Sequence, residues 1–258
     1  MKFKYLLTIL ISVIFVFGFM VYAKASTYDS PASMYKDNYI VSGWEEDTQV
    51  KFNVSVRYRV VYKAGLFMGY TQLSKWDLYS KSSPFKENNY QPEVFYKFES
   101  DNNEFDINLG VIDYIQISPI YHRSNGRDGV ESRGENLYYG QAQISIGKVH
   151  NFGINGKLYN YYNVSSKNKD INDYHKNYEI DVFYKYKSST VEELDKEEVH
   201  VRFSGNPLDK GFVEGTLKFR IWTSAIQLRL YGQVFHGYDE FIIDYNKKDT
   251  AARVGFCF

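Results

Sequence analysis

Lys51 to Val61 reads "KFNVSVRYRVV". In an extended chain Phe52, Val54, Val56, Tyr58 and Val60 share one face, and Lys51, Asn53, Ser55, Arg57 and Arg59 share the other. A period of two is the mark of an amphipathic strand. The split recurs in "YEIDVFYKYK" from Tyr178, "GFVEGTLKFRIW" from Gly211 and "AIQLRLYGQVF" from Ala225. Alternation alone admits two folds. In a sandwich the apolar face is buried and the polar face meets water, whereas in a membrane barrel the apolar face meets lipid and the polar face lines the interior.

Three features favour the barrel. The segments run to roughly 9 to 12 residues, the length a tilted strand needs to cross a bilayer, while globular strands peak near 5 to 6. Strands expected near 38–44, 51–61, 66–77, 92–100, 105–121, 136–149, 153–164, 175–187, 196–204, 211–221, 225–236 and 249–258 are separated by gaps that alternate long and short. Long gaps begin at 78, 123, 165 and 237 and short ones at 62, 101, 150 and 222, with 188–195 longer than its class. That is the outer-loop and periplasmic-turn rhythm of an outer-membrane barrel. The chain also ends "AARVGFCF", an alternating strand closed by an aromatic, as outer-membrane barrels commonly end. In lipid the sheet must close, because an open edge leaves N–H and C=O groups unpaired. The expected fold is an all-β, antiparallel, twelve-stranded transmembrane barrel over residues 38–258.

Ahead of it, Lys2 and Lys4, an apolar run from Tyr5 to about Tyr22, and Ala23-Lys24-Ala25 form the three regions of a secretory signal, expected over residues 1–25. A membrane-anchoring helix is the competing reading of that run. Residues 26–37 are expected as an N-terminal periplasmic segment. The charge is balanced, 31 Lys+Arg against 31 Asp+Glu, which gives no basic excess for nucleic-acid phosphates. The single cysteine, Cys257, cannot make an intrachain disulfide. Twenty-five Tyr and 19 Phe suit strands and interfaces where one end of the ring is dry and the other wet.

One polar stretch stands apart: "YHRSNGRDGVESRGENLYY", Tyr121 to Tyr139. With the N-terminus periplasmic, the fifth strand runs outward and delivers His122 and Ser124 to the outer rim. Residues i and i+2 lie about 6.5 Å apart on one face, so imidazole and hydroxyl can lean together. Asn136 opens the sixth strand with the parity of Tyr138, Gly140, Ala142, Ile144 and Ile146, and so points toward lipid. Ser124 as nucleophile, His122 as base and Asn136 as the acceptor that fixes the imidazole tautomer make a catalytic set with an amide in place of the usual carboxylate. Such an amide exposes no charge to hydrocarbon. His-x-Ser also arises by chance in solvated loops, and Asp113 and Pro119 interrupt the alternation of the fifth strand, so parity does not by itself place His122. Pro119 is expected to mark a bulge.

The same stretch resembles the signature of the outer membrane phospholipase A family: His-x-Ser-Asn-Gly-Arg, a Ser-Arg pair, then Asn before Leu-Tyr. "GYTQLSKWDLY" (Gly69 to Tyr79), "SSPFKENNYQPEVF" (Ser82 to Phe95) and "GQVFHGYDEFIIDYN" (Gly232 to Asn246) resemble the family's other stretches in the same order. The resemblance covers most of the barrel from about residue 50. It implies a twelve-stranded, calcium-dependent homodimer in the bacterial outer membrane that hydrolyses acyl esters of phospholipids. Carried over, His122 is the base, Ser124 the nucleophile and Asn136 the orienting residue. The Ca²⁺ ligands correspond to the Arg127 carbonyl, the Ser132 hydroxyl and Ser82 from a second copy of the chain. Neutral oxygens with few carboxylates imply weak Ca²⁺ binding.

The match has departures. A further calcium-site aspartate of the family aligns with Lys167, beside which Asp170 is the nearest carboxylate, and the family's aspartate two residues after the matched arginine is Gly129 here. Gln72 matches a glutamine that supports the family's polar cluster. The expected function is phospholipase A1 activity, extending to A2 and lysophospholipase activity. The rivals are a passive porin-like barrel, which needs no His-Ser-Asn set, and another barrel esterase such as a lipid A deacylase.

Overall fold

The computed structural model describes residues 31–44, 49–61, 64–99, 111–147, 150–187, 195–221 and 228–258. The expected signal segment and the expected start of the strand at 105 lie outside the described residues. The described residues form thirteen strands: β1 (Ala32–Met34), β2 (Tyr39–Trp44), β3 (Gln49–Val61), β4 (Leu66–Trp76), β5 (Phe85–Glu99), β6 (Ile112–Ser124), β7 (Gly134–Ile146), β8 (His150–Val164), β9 (Tyr178–Lys187), β10 (Asp195–Gly205), β11 (Gly211–Arg220), β12 (Arg229–Gly237) and β13 (Asp249–Cys257). Every pairing is antiparallel: β2 to β13 pair with their sequence neighbours, β13 returns to pair with β2, and β1 pairs with β3. β1 and β2 lie along the same edge of β3, against Val56–Tyr58 and Gln49–Asn53 respectively, so the two form one interrupted stave. The result is a closed barrel of twelve staves.

The barrel is polar inside and apolar outside. On β3 the polar face is the buried one: Lys51 is 3% exposed, whereas Tyr58 on the opposite face is 52% exposed. Ile40, Met68, Ile144, Ile154, Leu158, Val201, Val234 and Val254 add to the exposed apolar wall. A soluble sandwich buries the other face, and this inversion identifies a transmembrane barrel. Inside, charges are matched: Lys36 with Glu93 at 2.9 Å, Lys218 with Asp37 and Glu198 at 2.8 and 2.9 Å, and Arg202 with Glu179 and Glu214 at 2.9 and 3.0 Å. Buried ions require such partners, because an unmatched one keeps its full desolvation cost. A polar cavity of about 690 Å³ remains among them.

The staves differ from the sequence pattern by a few residues at several ends, and three of the differences bear on the lumen and the site. The first stave begins earlier, because Ala32–Met34 pairs with β3 and Tyr35 to Asp37 then turn into the lumen, so residues 32–37 of the segment expected to precede the barrel contribute to its wall and filling. β5 begins at Phe85 rather than 92, since "FKENNYQ" is polar on both faces: Glu87 and Asn89 are buried inside while Asn88 and Tyr90 face the other way. β6 reaches Ser124, so His122 and Ser124 sit within a strand.

The connection from β12 to β13 folds over one end of the barrel. Ile242 and Tyr245 from it pack on Ile171 of a one-turn helix, Ile171–Tyr174, that follows β8. Ile242 N–H donates to Asn89 Oδ1 at 3.1 Å, which ties this cap to β5.

Candidate active site

β6 is not a regular strand. Ser118 pairs with Tyr139 and Tyr121 with Leu137, so three steps on β6 meet two on β7; against β5 the same slip falls between Val94 and Tyr96. Pro119 sits in this bulge, as a residue without an N–H suits. One inserted residue reverses parity. Before the bulge Gln116 and Ser118 are buried and Ile117 is 51% exposed; after it Tyr121 and Arg123 are buried and Ile120 is 52% exposed. Tyr121 and Arg123 line the lumen, so His122 and Ser124 face outward.

On β7, Glu135 and Leu137 line the lumen, and Asn136 faces outward with exposed Tyr138. The register sets His122 directly opposite Asn136 and Ser124 opposite Gly134. His122 Nδ1 lies 2.9 Å from Asn136 Oδ1. The amide orientation follows from its other contact: Nδ2 donates to the Asn163 carbonyl at 3.4 Å, and a carbonyl can only accept. Oδ1 therefore faces the imidazole, Nδ1 carries the proton and donates it, and Nε2 keeps its lone pair. Among the described residues no hydrogen bond joins His122 to Ser124; without substrate, such contacts are often long.

A polar band continues across the outer face. Tyr90 pairs with Ser124 on one side and Gln72 on the other. Gln72 Nε2 donates to Ser74 Oγ at 3.1 Å and to Asn88 Oδ1 at 3.4 Å, and Ser74 Oγ donates to Asn88 Oδ1 at 2.8 Å. Gln72 thus stands two staves from Ser124, with Tyr90 between them. Gly126 has φ +65°, and a Cβ there would meet the Tyr90 ring at 2.8 Å, so only glycine lets the chain turn this close to the ring.

The loop from Asn125 to Arg133 is closed by Asn125, whose Oδ1 accepts from the backbone N–H of Arg127 and Arg133 at 3.3 and 3.0 Å and whose Nδ2 donates to the Glu131 carbonyl at 2.8 Å. Arg127 is turned away by Glu131 at 2.6 Å and by the Lys86 carbonyl. Among the described residues neither the Arg127 carbonyl nor the Ser132 hydroxyl is taken up by a hydrogen bond. Both residues are half-buried, and both oxygens are of the kind a hard cation takes. Ser82 is exposed in the β4–β5 connection, beside Ser83 at φ +46°. Asp170 lies in the β8–β9 connection, where its Oδ1 accepts from the Tyr245 hydroxyl. Burial and the neighbouring Asp170 raise the Tyr245 phenol above its ordinary range. Among the described residues, no three His, Cys, Asp or Glu side chains converge on a metal position.

Sequence reasoning assigned no role to two buried residues at this site. Asn168 is fully buried and brackets Gly134, accepting from its N–H at 3.2 Å and donating to its carbonyl at 3.3 Å, so it holds the backbone opposite Ser124. Asn125 was visible in the His-x-Ser-Asn-Gly-Arg pattern; Asn168, 34 residues from its partner, gave no local signal.

A family model described as Phospholipase A1 matches residues 13–258. The "Putative phospholipase A1" of Neisseria meningitidis serogroup B is 28% identical over 235 residues, which cover 84% of this chain and 56% of that protein. The "Phospholipase A1" of Salmonella typhimurium is 27% identical over 243 residues, 88% of this chain and 76% of that one. The chain thus spans little more than half the length of the first relative and about three quarters of the second. Among solved structures, outer membrane phospholipase A from Escherichia coli superposes with a TM-score of 0.74 at 24% identity, covering 93% of this chain and 96% of that one. The calcium-bound dimer of the Salmonella typhi outer membrane phospholipase gives 0.73 at 24% identity with the same coverage. These two structures share the barrel fold. The family match takes in every described stave and the outward-facing polar band of β4 to β7, and the chain belongs to the phospholipase A1 family.

Proposed function

We propose that the chain is a calcium-dependent outer-membrane phospholipase that hydrolyses the sn-1 acyl ester of glycerophospholipids, and sn-2 and lysophospholipid esters with the same residues. The observation that carries the reading is the His122 Nδ1–Asn136 Oδ1 contact of 2.9 Å on the lipid-facing side of the wall, with Ser124 on the same face two residues away. A passive pore has no use for an oriented imidazole there, and its lumen would not be crossed by matched charges. A site on the outer face meets the acyl ester of a bilayer lipid without drawing the lipid into the barrel.

Ser124 Oγ attacks the ester carbonyl carbon while His122 Nε2 takes the hydroxyl proton. The developing imidazolium is held by donation from Nδ1–H to Asn136 Oδ1. As the tetrahedral adduct collapses, the bond to the glycerol oxygen breaks and His122 returns its proton to that oxygen, releasing lysophospholipid. His122 then draws a proton from water, which attacks the acyl-Ser124 ester; the acyl–Oγ bond breaks, Oγ recovers the proton, and the fatty acid leaves. The amide of Asn136 stabilises the imidazolium less than a carboxylate would, but it brings no charge into contact with hydrocarbon.

The Arg127 carbonyl, the Ser132 hydroxyl and Asp170 Oδ2 would hold Ca²⁺, with Ser82 supplied by a second copy in a homodimer. Their chemistry fits: hard oxygens, of which the first two accept no other hydrogen bond among the described residues. Bound Ca²⁺ supplies Lewis-acid stabilisation of negative charge beside Ser124. The test is hydrolysis of phosphatidylethanolamine by detergent-solubilised protein with and without Ca²⁺, beside Ser124→Ala. Calcium-dependent release of fatty acid that Ser124→Ala abolishes supports the reading; full activity in Ser124→Ala overturns it. A tenfold preference for lipopolysaccharide over glycerophospholipid would reassign the chain to lipid A deacylation.

A further inference from the structure

Between His122 and Ser124 stands Arg123, which points the opposite way, into the lumen. Its cross-strand partner is Glu135, the neighbour of Asn136. Arg123 Nε donates to Glu135 Oε1 at 2.7 Å, and one terminal nitrogen donates to both oxygens of Asp239 at 2.8 Å. Asp239 belongs to the β12–β13 connection, and His175 Nδ1 lies 2.7 Å from its Oδ2 while His175 Nε2 lies 3.3 Å from Glu179. Arg123, Glu135 and Asp239 are each more than nine-tenths buried. The pair directly behind His122–Asn136 is therefore ionic, buried, and tied to a loop from the far side of the sequence.

Two further features mark Asp239 as the anchor. Its φ of +59° is a conformation that favours glycine, so the strain is accepted at a residue whose side chain is in use. Its backbone N–H donates to the Tyr245 carbonyl at 3.1 Å, which fixes it within the cap over the barrel end. Burial opposes ionisation of Asp239, but Arg123 and His175 beside it hold the carboxyl below the usual carboxylate range.

We propose that Asp239 is a positioning residue for the hydrolytic site: through Arg123 and Glu135 on the lumen side it sets the spacing and register of β6 against β7, and so the His122–Asn136 pair on the lipid side. The inference rests on the hydrolase reading above. Side chains alternate across one backbone, so a shift that relaxes the Arg123–Glu135 pair also displaces its neighbours on the reverse face. The bulge at Pro119 leaves β6 short of a regular ladder beside the site, and the ionic clamp restores the register there.

The test compares Asp239→Asn, Arg123→Gln, Arg123→Lys, the Asp239→Asn/Arg123→Gln double variant and Ser124→Ala in detergent with Ca²⁺, with heat-modifiable electrophoretic mobility as the measure of the folded barrel. Asp239→Asn and Arg123→Gln are expected to lower kcat about tenfold or more with KM within about twofold, since misplacement affects the reacting geometry more than lipid binding. The double variant should be no slower than Arg123→Gln alone, and Arg123→Lys should recover part of the loss. Wild-type kcat in Asp239→Asn beside an inactive Ser124→Ala overturns the positioning role and leaves the hydrolase reading standing. Additive losses in the double variant overturn the route through Arg123. An active Ser124→Ala overturns both. Where Asp239→Asn does not reach the folded form, near-isosteric Glu135→Gln is judged by the same change in kcat.

Discussion

His122 Nδ1 lies 2.9 Å from Asn136 Oδ1 because the two residues are a direct cross-strand pair on the outer face of β6 and β7. Asn136→Ala removes the acceptor, frees the ring and leaves its tautomer unassigned. Hydrolysis by this variant should fall about tenfold to a hundredfold in kcat, with little change in KM. Steady-state kinetics on a dispersed phospholipid decide it; an unchanged kcat would mean that the amide does not orient the base.

The bulge at Pro119 puts one extra residue into β6 ahead of His122. Deleting Pro119 removes the extra residue and leaves regular alternation, with Ser118 inside, Ile120 outside, Tyr121 and Arg123 inside, so His122 and Ser124 keep their outward face. The expected outcome is hydrolysis close to that of Pro119→Ala, in which alanine occupies the bulge. A folded deletion variant that has lost hydrolysis, beside an active Pro119→Ala, would contradict this reading of the register.

Much of this was legible in the sequence, and the limits have physical causes. Alternation in "KFNVSVRYRVV" revealed the strand and its two faces, because one face must suit lipid and the other the charged interior. Pro119 revealed an interruption but not its consequence, since a parity reversal is visible only once the register with β5 and β7 is known. Polar strands such as the start of β5 escape a periodicity reading where both faces meet polar groups. The ties from Asp239 to Arg123, 116 residues apart, and from Glu240 to Lys51, 189 apart, are set by closure of the barrel and leave no local trace.

Glu240 supplies a pH dependence. It lies 2.8 Å from Lys51 and 2.6 Å from Arg253. Burial opposes its ionisation, but the two cations hold its carboxyl down to about 2 from an ordinary 4.5. A depressed carboxyl contributes stability that is full above the unfolded value and lost as pH falls through the folded one. On the order of 3 kcal/mol should therefore disappear between about pH 4.5 and 2. Urea denaturation of the detergent-folded barrel across that window should show a steep loss in the wild type and a shallower one in Glu240→Gln. Parallel curves would remove Glu240 from the account of acid stability.

The candidate calcium oxygens separate by titration. Chelation should abolish hydrolysis, and Ser132→Ala should raise the Ca²⁺ concentration for half-maximal activity by about tenfold, as loss of one oxygen from a sparsely charged site implies. Asp170→Asn should raise it as well, since it removes the one carboxylate of the set. Ser82→Ala should do so only in a way that depends on protein concentration, because its hydroxyl comes from a second copy. A Ca²⁺ midpoint unmoved by Ser132→Ala would remove that hydroxyl from the set.

The most direct test of the central claim is covalent capture of the nucleophile. Detergent-folded protein is treated with a fluorophosphonate lipid analogue in Ca²⁺ or chelator, and the adduct is located by peptide mass spectrometry. The expected result is a single calcium-dependent adduct on Ser124, absent from Ser124→Ala and slowed in Asn136→Ala. An adduct on another residue in an enzyme that still hydrolyses phospholipid would contradict it.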